Sequence, residues 1–173
     1  MTVGEGQHIV VIGPMGVGKT TIGGLLAEAL ARPFLDADEV LEDRVGTDGA
    51  AIAERDGVER LHALELDVFL EMSRHETPSV IAPASSVVDR LFGREVLAKN
   101  FTIRLTAPDD VLAARHEGLG HRRPVVADER EALRRRRAPH LERLAKLSFD
   151  TGSRSPRQVV EDVIGRLPDS VND

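Results

Sequence analysis

The stretch "HIVVIGPMGVGKTTIGGLLAEAL", residues 8–30, decides the fold. Its opening, residues 8–13, is a β-branched apolar run that closes on glycine, the pattern of a buried parallel strand. Residues 20–31 then place Ile22, Leu25, Leu26, Ala29 and Leu30 at helical spacing. Between strand and helix, "GPMGVGKT" fits G-x-x-x-x-G-K-[ST] from Gly13 to Thr20. Glycines there let the loop fold back so that its N–H groups converge on phosphate oxygens, and the helix N-terminus adds partial positive charge. Lys19 is placed to reach terminal phosphates and Thr20 to hold Mg²⁺. The stretch therefore implies a nucleoside-triphosphate site with its Mg²⁺; the alternative is a glycine-rich turn that binds nothing.

Working outward, 173 residues suit a single domain, here with 41% apolar and 30% charged residues, the balance of a folded globular chain. Tyr and Trp are absent and Phe is scarce, so the core must come from Leu, Val, Ile and Ala. With no cysteine there is no disulfide and no thiolate metal site. No apolar run is long enough to cross a bilayer, and residues 1–8 hold no apolar signal-peptide core, so a soluble cytoplasmic protein is expected. A net charge of −6 argues against a general nucleic-acid binder, whose affinity rests on neutralising phosphates. The basic run Arg134, Arg135, Arg136, Arg137 reads first as a solvated helix face.

Downstream, a short strand is expected around Phe34–Leu35, then two or three helices, the last carrying Leu61, Leu64, Leu66, Val68, Phe69 and Met72. A strand at 79–82 precedes a helix running to about Lys99. Residues 101–107 alternate like a strand and Pro108 opens another helix. Residues 117–127, "EGLGHRRPVVA", have the glycine, proline and charge of a mobile loop. A charged helix from about Asp128 to Lys146 should kink or break at Pro139. A strand at 147–150 and a helix over 156–167 follow, with a loose tail beyond 167. Strands separated by helices imply an α/β fold with parallel pairing and helices on both faces.

Two further stretches bear on chemistry. "PFLDADEV" sets Asp36 and Asp38 at a strand end, where one carboxylate can orient Mg²⁺ and the other accept a proton from an attacking hydroxyl. The alternative is that one of them only caps the following helix. "PSVIAPASSVVD", residues 78–89, is a buried strand that stops at proline and gives way to the small residues Ala84, Ser85 and Ser86. Such an ending suits a ligand, though either serine would also serve as a helix cap.

With these motifs in place, the chain resembles the shikimate kinase family over nearly its full length. "GPMGVGKTTIGGLLAEAL", "PFLDADEVLEDRVG", "IAERDGVERLHALEL", "RRPVV" and "FDTGSRSPRQVVEDVI" stand in the family's order at close to its spacing. The resemblance implies a three-layer P-loop fold with a five-stranded parallel sheet and a mobile lid over about 117–127, and an acceptor-binding segment over about 36–75. It implies transfer of a phosphoryl group from MgATP to a hydroxyl, in the family the 3-hydroxyl of shikimate. Gly13, Met15, Gly16, Val17, Gly18, Lys19, Thr20 and Thr21 then form the nucleotide loop. Thr20 and Asp36 match the Mg²⁺ residues, Asp38 the acid that activates the acceptor, and Arg123 the lid arginine that reaches the transferring phosphate. Arg137 matches an arginine that grips the acceptor carboxylate, and Glu65 a glutamate that supports the acceptor site, against a plain surface-helix position. Arg154 and Pro156 match the adenine loop. The arginine expected seven residues before the lid arginine falls on His116, with Arg115 one residue out of register.

The chain departs from the family in two places, both on the acceptor side. Leu61-His62 stands for a Phe-Arg pair, and a histidine cannot make the forked contact of a guanidinium. Loss of one charge-assisted hydrogen bond costs roughly 1.5–3 kcal/mol. Ala84, Ser85 and Ser86 stand for three glycines that lie against the acceptor ring. The leading expectation is an ATP-dependent small-molecule kinase, with shikimate the first acceptor to assign. The alternatives are a different hydroxylated acceptor, or a nucleotide-binding sensor without phosphotransfer. A monomer without nucleic-acid or membrane partners is expected.

Overall fold

The computed structural model describes residues 7–117 and 127–168. Five strands build one sheet: β1 (Ile9–Ile12), β2 (Phe34–Asp36), β3 (Val80–Ala82), β4 (Phe101–Thr106) and β5 (Leu147–Asp150). Their order is β2-β3-β1-β4-β5, with every pair parallel. The chain thus moves from β1 to one side, fills β2 and β3, and crosses to β4 on the other. The carboxyl end of β1 lies at that switch, the place where open parallel sheets bind ligands.

Burial explains the central position of β1. Its four side chains are no more than 2% exposed, and they alternate between two cores. Ile9 and Val11 join Ile22, Leu26 and Val159 on one face of the sheet. These come from α1 (Lys19–Ala29) and α8 (Pro156–Ile164). Val10 and Ile12 join Leu41, Ile52, Phe69, Leu97 and Leu141 on the other. That face is covered by α2 (Ala37–Val45), α3 (Gly49–Asp56), α4 (Val58–Met72), α5 (Leu91–Ala98) and α7 (Ala127–Leu144), while α6 (Asp109–Glu117) follows β4. This is the α/β P-loop architecture with helices on both faces.

The helix starts follow local chemistry. Asp36 caps α2 by accepting from Asp38 N at 2.9 Å, and Asp48 caps α3 by accepting from Ala51 N at 2.8 Å. Ser155 and Gln158 form a reciprocal capping box on α8, with Pro156 in its first turn. By contrast α1 begins at Gly18, which has no side chain with which to cap it. Its first-turn N–H groups face the loop that precedes it.

Two expectations are corrected. Of the kink or break expected at Pro139, the break does not occur: α7 continues through it as one helix. Proline removes one backbone donor, but the helix is tethered on both sides of it, by the Arg137 ion pair with Asp89 and by buried Leu141. The helix expected to run to about Lys99 is a 3₁₀ turn, Ser85–Asp89, followed after Arg90 by the separate α5. Residues 118–126, with Gly118, Gly120, Arg122 and Arg123 of the expected lid, lie outside the described residues, as do the tail from 169 and the side chain of His116.

The 3₁₀ turn is held down by close packing from α5. A Cβ built on Gly93 would sit 2.3 Å from Val87 O and 2.9 Å from Val87 Cγ1. Gly93→Ala gains about 1 kcal/mol of helix propensity but meets an overpacking cost of about 1–3 kcal/mol against backbone. The expected outcome is net destabilisation, read as a lower urea midpoint; a midpoint equal to or above that of the parent would contradict this packing.

Candidate active site

At the carboxyl end of β1, the loop before α1 is built on glycine geometry. Gly13 has φ +156°, and a Cβ there would lie 2.7 Å from Leu105 O of β4, so only bare backbone fits. Gly18 has φ +101°, in the left-handed region, and turns the chain into α1. Lys19 folds back over this loop, donating to Gly13 O at 3.2 Å and Pro14 O at 3.3 Å. It also donates to Ser85 Oγ at 3.1 Å. Ser85 in turn donates to Gly13 O at 3.0 Å. The phosphate-loop lysine and the end of β3 are therefore joined through one hydroxyl.

Ser86, the next residue of the 3₁₀ turn, points its hydroxyl the other way and donates to Glu65 Oε2 on α4. Neither serine caps a helix: the turn begins at Ala84 without a side-chain cap. Burial pushes the Glu65 carboxyl up to about 7, opposed by the Ser86 hydrogen bond and reinforced by the nearby Asp38 charge; Arg137 and Lys19 pull it down. Glu65 is thus no ordinary surface-helix glutamate.

These groups line one cavity of about 650 Å³. Met15, Gly16, Val17, Gly18, Lys19, Thr20 and Thr21 form its loop side, while the Gly13 carbonyl lies behind them, bonded to Ser85 and Lys19. Asp36, Asp38, His62, Glu65, Ala84, Ser85, Ser86 and Arg137 also line it. Asp36 Oδ1 caps α2, and its Oδ2 is buried without a hydrogen-bond partner. Arg137, 7% exposed, grips Asp89 with Nε at 3.1 Å and Nη2 at 2.7 Å. Burial raises the Asp89 carboxylate, but Arg137 and Arg136 outweigh it and hold it below the usual range.

The same cavity is lined by Arg115, Thr151, Arg154 and Pro156. Despite its register, Arg115 reaches the site: it donates to Thr151 Oγ1 at 3.0 Å and Thr151 O at 2.7 Å. Thr151 Oγ1 donates to Val17 O at 3.1 Å, tying the segment after β5 to the phosphate loop. Arg154 pairs with Asp162 on α8. Sequence reasoning missed Asp89 and the line from Ser85 to Lys19, and placed Thr151 only within residues 150–156, the stretch that matches the adenine loop. Thr151 had one available signal, its place directly after the last strand; the others are contacts between distant positions.

A glycine-rich loop at the switch of a parallel sheet, opening into a cavity also lined by carboxylates, defines a P-loop phosphotransferase. The family described as Shikimate kinase matches residues 15–168, and the chain belongs to it. A shikimate kinase from Symbiobacterium thermophilum is 34% identical over 93% of this chain and 96% of that one. One from Legionella pneumophila (strain Corby) is 32% identical over 96% and 98%. Among solved structures, shikimate kinase from Acinetobacter baumannii in complex with shikimate superposes with a TM-score of 0.85 at 26% identity, covering 91% of this chain and 90% of that chain. The protein is an ATP-dependent kinase of the shikimate kinase type, an enzyme that phosphorylates an alcohol group.

The Glu65 environment has a pH signature. Its folded pKa, about 7, lies above the ordinary 4.5, so between those values the folded chain holds a proton that the unfolded chain has lost. Its contribution to stability is complete below about 4.5 and is lost as pH rises through about 7. Urea unfolding across this window should show the parent losing stability relative to Glu65→Gln as pH rises. A constant difference between the two would contradict the assigned burial.

Proposed function

We propose that the protein transfers the γ-phosphate of ATP to a hydroxyl of shikimate, with the donor bound on the Lys19 side of the cavity and the acceptor on the Asp38 side. The observation that carries this reading is that the phosphate loop and the acid side line the same cavity. Family membership and the shikimate complex of the Acinetobacter baumannii relative support the choice of acceptor.

In this reading Lys19 exchanges its Gly13, Pro14 and Ser85 partners for phosphate oxygens, and the first-turn amides of α1 hold the phosphates in place. The acceptor oxygen forms a bond to the γ-phosphorus as the bond to the bridging oxygen breaks; ADP leaves and the hydroxyl proton passes to Asp38. Mg²⁺ fits beside Asp36, whose Oδ2 is buried and unpartnered, with Thr20 in the same cavity. Among the described residues no cluster of three acidic or histidine side chains converges, as suits an ion held chiefly by phosphates and water. Bound there, Mg²⁺ would neutralise charge on the phosphates. Arg115, Arg154 and Pro156 serve the nucleotide base, and Arg123 the transferring group. Arg137, His62 and Glu65 orient the acceptor, with Ala84, Ser85 and Ser86 as its wall.

The test is ADP release by the purified chain with MgATP, with and without shikimate. Saturable, shikimate-dependent turnover is expected, with kcat lowered at least about 100-fold in Asp38→Asn. Turnover on another hydroxylated compound but not on shikimate would overturn the acceptor assignment. Nucleotide binding with no turnover on any acceptor would overturn phosphotransfer itself.

A further inference from the structure

A second, smaller cavity of about 180 Å³ lies on the other side of α7's inner face. α7 lines it with Arg130, Leu133, Arg134, Arg137, Ala138 and Leu141, positions that recur every three to four residues and so form one face of the helix. Pro14 and Met15 of the phosphate loop, Leu112 of α6, and Arg104 and Thr106 of β4 complete it. Arg104 is at home here by register: Ile103 and Leu105 fill the core beneath α1, so Arg104 faces α7, as does Thr102, which bonds Leu144 O.

The charge of this cavity is unusual for a chain with a net −6. Four guanidiniums line it against one carboxylate, Asp109. Asp109 Oδ1 lies 2.9 Å from Arg134 Nε, an ion pair too bent for a hydrogen bond. Arg137 is neutralised by Asp89. Arg104 and Arg130 have no carboxylate partner among the described residues, and the Arg104 Nε is buried with no hydrogen bond at all. Arg104 and Arg130 are half-buried, and a charge partly withdrawn from water without a carboxylate beside it favours a bound anion.

The rest of the lining fixes the kind of anion. Pro14, Leu112, Leu133 and Leu141 offer carbon surface, and Thr106 is the one hydroxyl among the described lining residues. A cavity of roughly 150 Å³ accepts a benzene-sized molecule. We propose that this cavity is a second ligand site, which binds a compact one-ring carboxylate through Arg104 and Arg130 with its ring against the leucines. Guanidinium forks match carboxylates bidentately, and a polyhydroxylated ring would leave its hydroxyls unpaired among the leucines. Met15, Leu133 and Arg137 line both cavities, so the occupant borders the reaction site.

The test is calorimetric titration of the full chain with benzoate, first alone and then with MgADP and shikimate saturating the larger cavity. Saturable binding that persists with those ligands present is expected, weakened at least tenfold in both Arg104→Met and Arg130→Ala. Shikimate KM in Arg130→Ala should stay within about twofold of the parent. Absence of saturable benzoate binding, its loss on adding shikimate, or binding unchanged in the variants would overturn the proposal. Inorganic phosphate bound as tightly as benzoate would overturn the assigned ligand class. If Arg104→Met does not fold, as circular dichroism reports, the half-buried Arg130→Ala decides.

Discussion

The close approach of the Gly13 backbone to β4 is the constraint on which the rest depends. With no side chain at Gly13, β1 ends directly against Leu105 O, and the chain can turn at once into α1. That places the uncapped start of α1 over the carboxyl end of the sheet. The Gly13 carbonyl then becomes the meeting point of Lys19 from the start of α1 and Ser85 from the turn after β3. Any side chain at this position would push apart the strands and the loop together.

The 3₁₀ turn after β3 extends this logic across the cavity. Its consecutive serines face opposite ways, one toward the phosphate-loop lysine and one toward Glu65, and its last residue, Asp89, holds Arg137 and Arg136. A flexible backbone could not hold four such partners at once. Here the turn is pressed from behind by Gly93 of α5 and buried through Val87 and Val88. Where the resembling family has bare glycine backbone, this chain has two hydroxyls, one bonded to Lys19 and Gly13 and the other to Glu65.

Much of this was legible in the sequence because its signals are local. The β-branched run of β1, the spaced glycines with Lys19 and Thr20, and the Asp36–Asp38 pair each carry their meaning within a few residues. The misreadings share one cause, tertiary anchoring. Pro139 forecasts a break when only the chain is considered, but Arg137 and Leu141 pin the helix on either side. The serines look like caps until their partners are seen 72, 66 and 21 residues away. Arg115 stands out of register when spacing is counted to Arg123, while its contacts run to Thr151 beyond β5. Asp36 caps α2 through Oδ1 alone, which leaves Oδ2 without a hydrogen-bond partner.

The central claim is that nucleotide and acceptor meet across one cavity, with Lys19 leaving Ser85 to engage phosphate while Ser85 keeps its hold on Gly13. A crystal structure of the protein with Mg²⁺, ADP and shikimate tests it most directly. The account predicts Lys19 Nζ on the phosphates, Ser85 Oγ still bonded to Gly13 O, and a shikimate hydroxyl within hydrogen-bond distance of Asp38. Shikimate seated away from Asp38, or Lys19 still bound to Ser85 with the phosphates elsewhere, would contradict it.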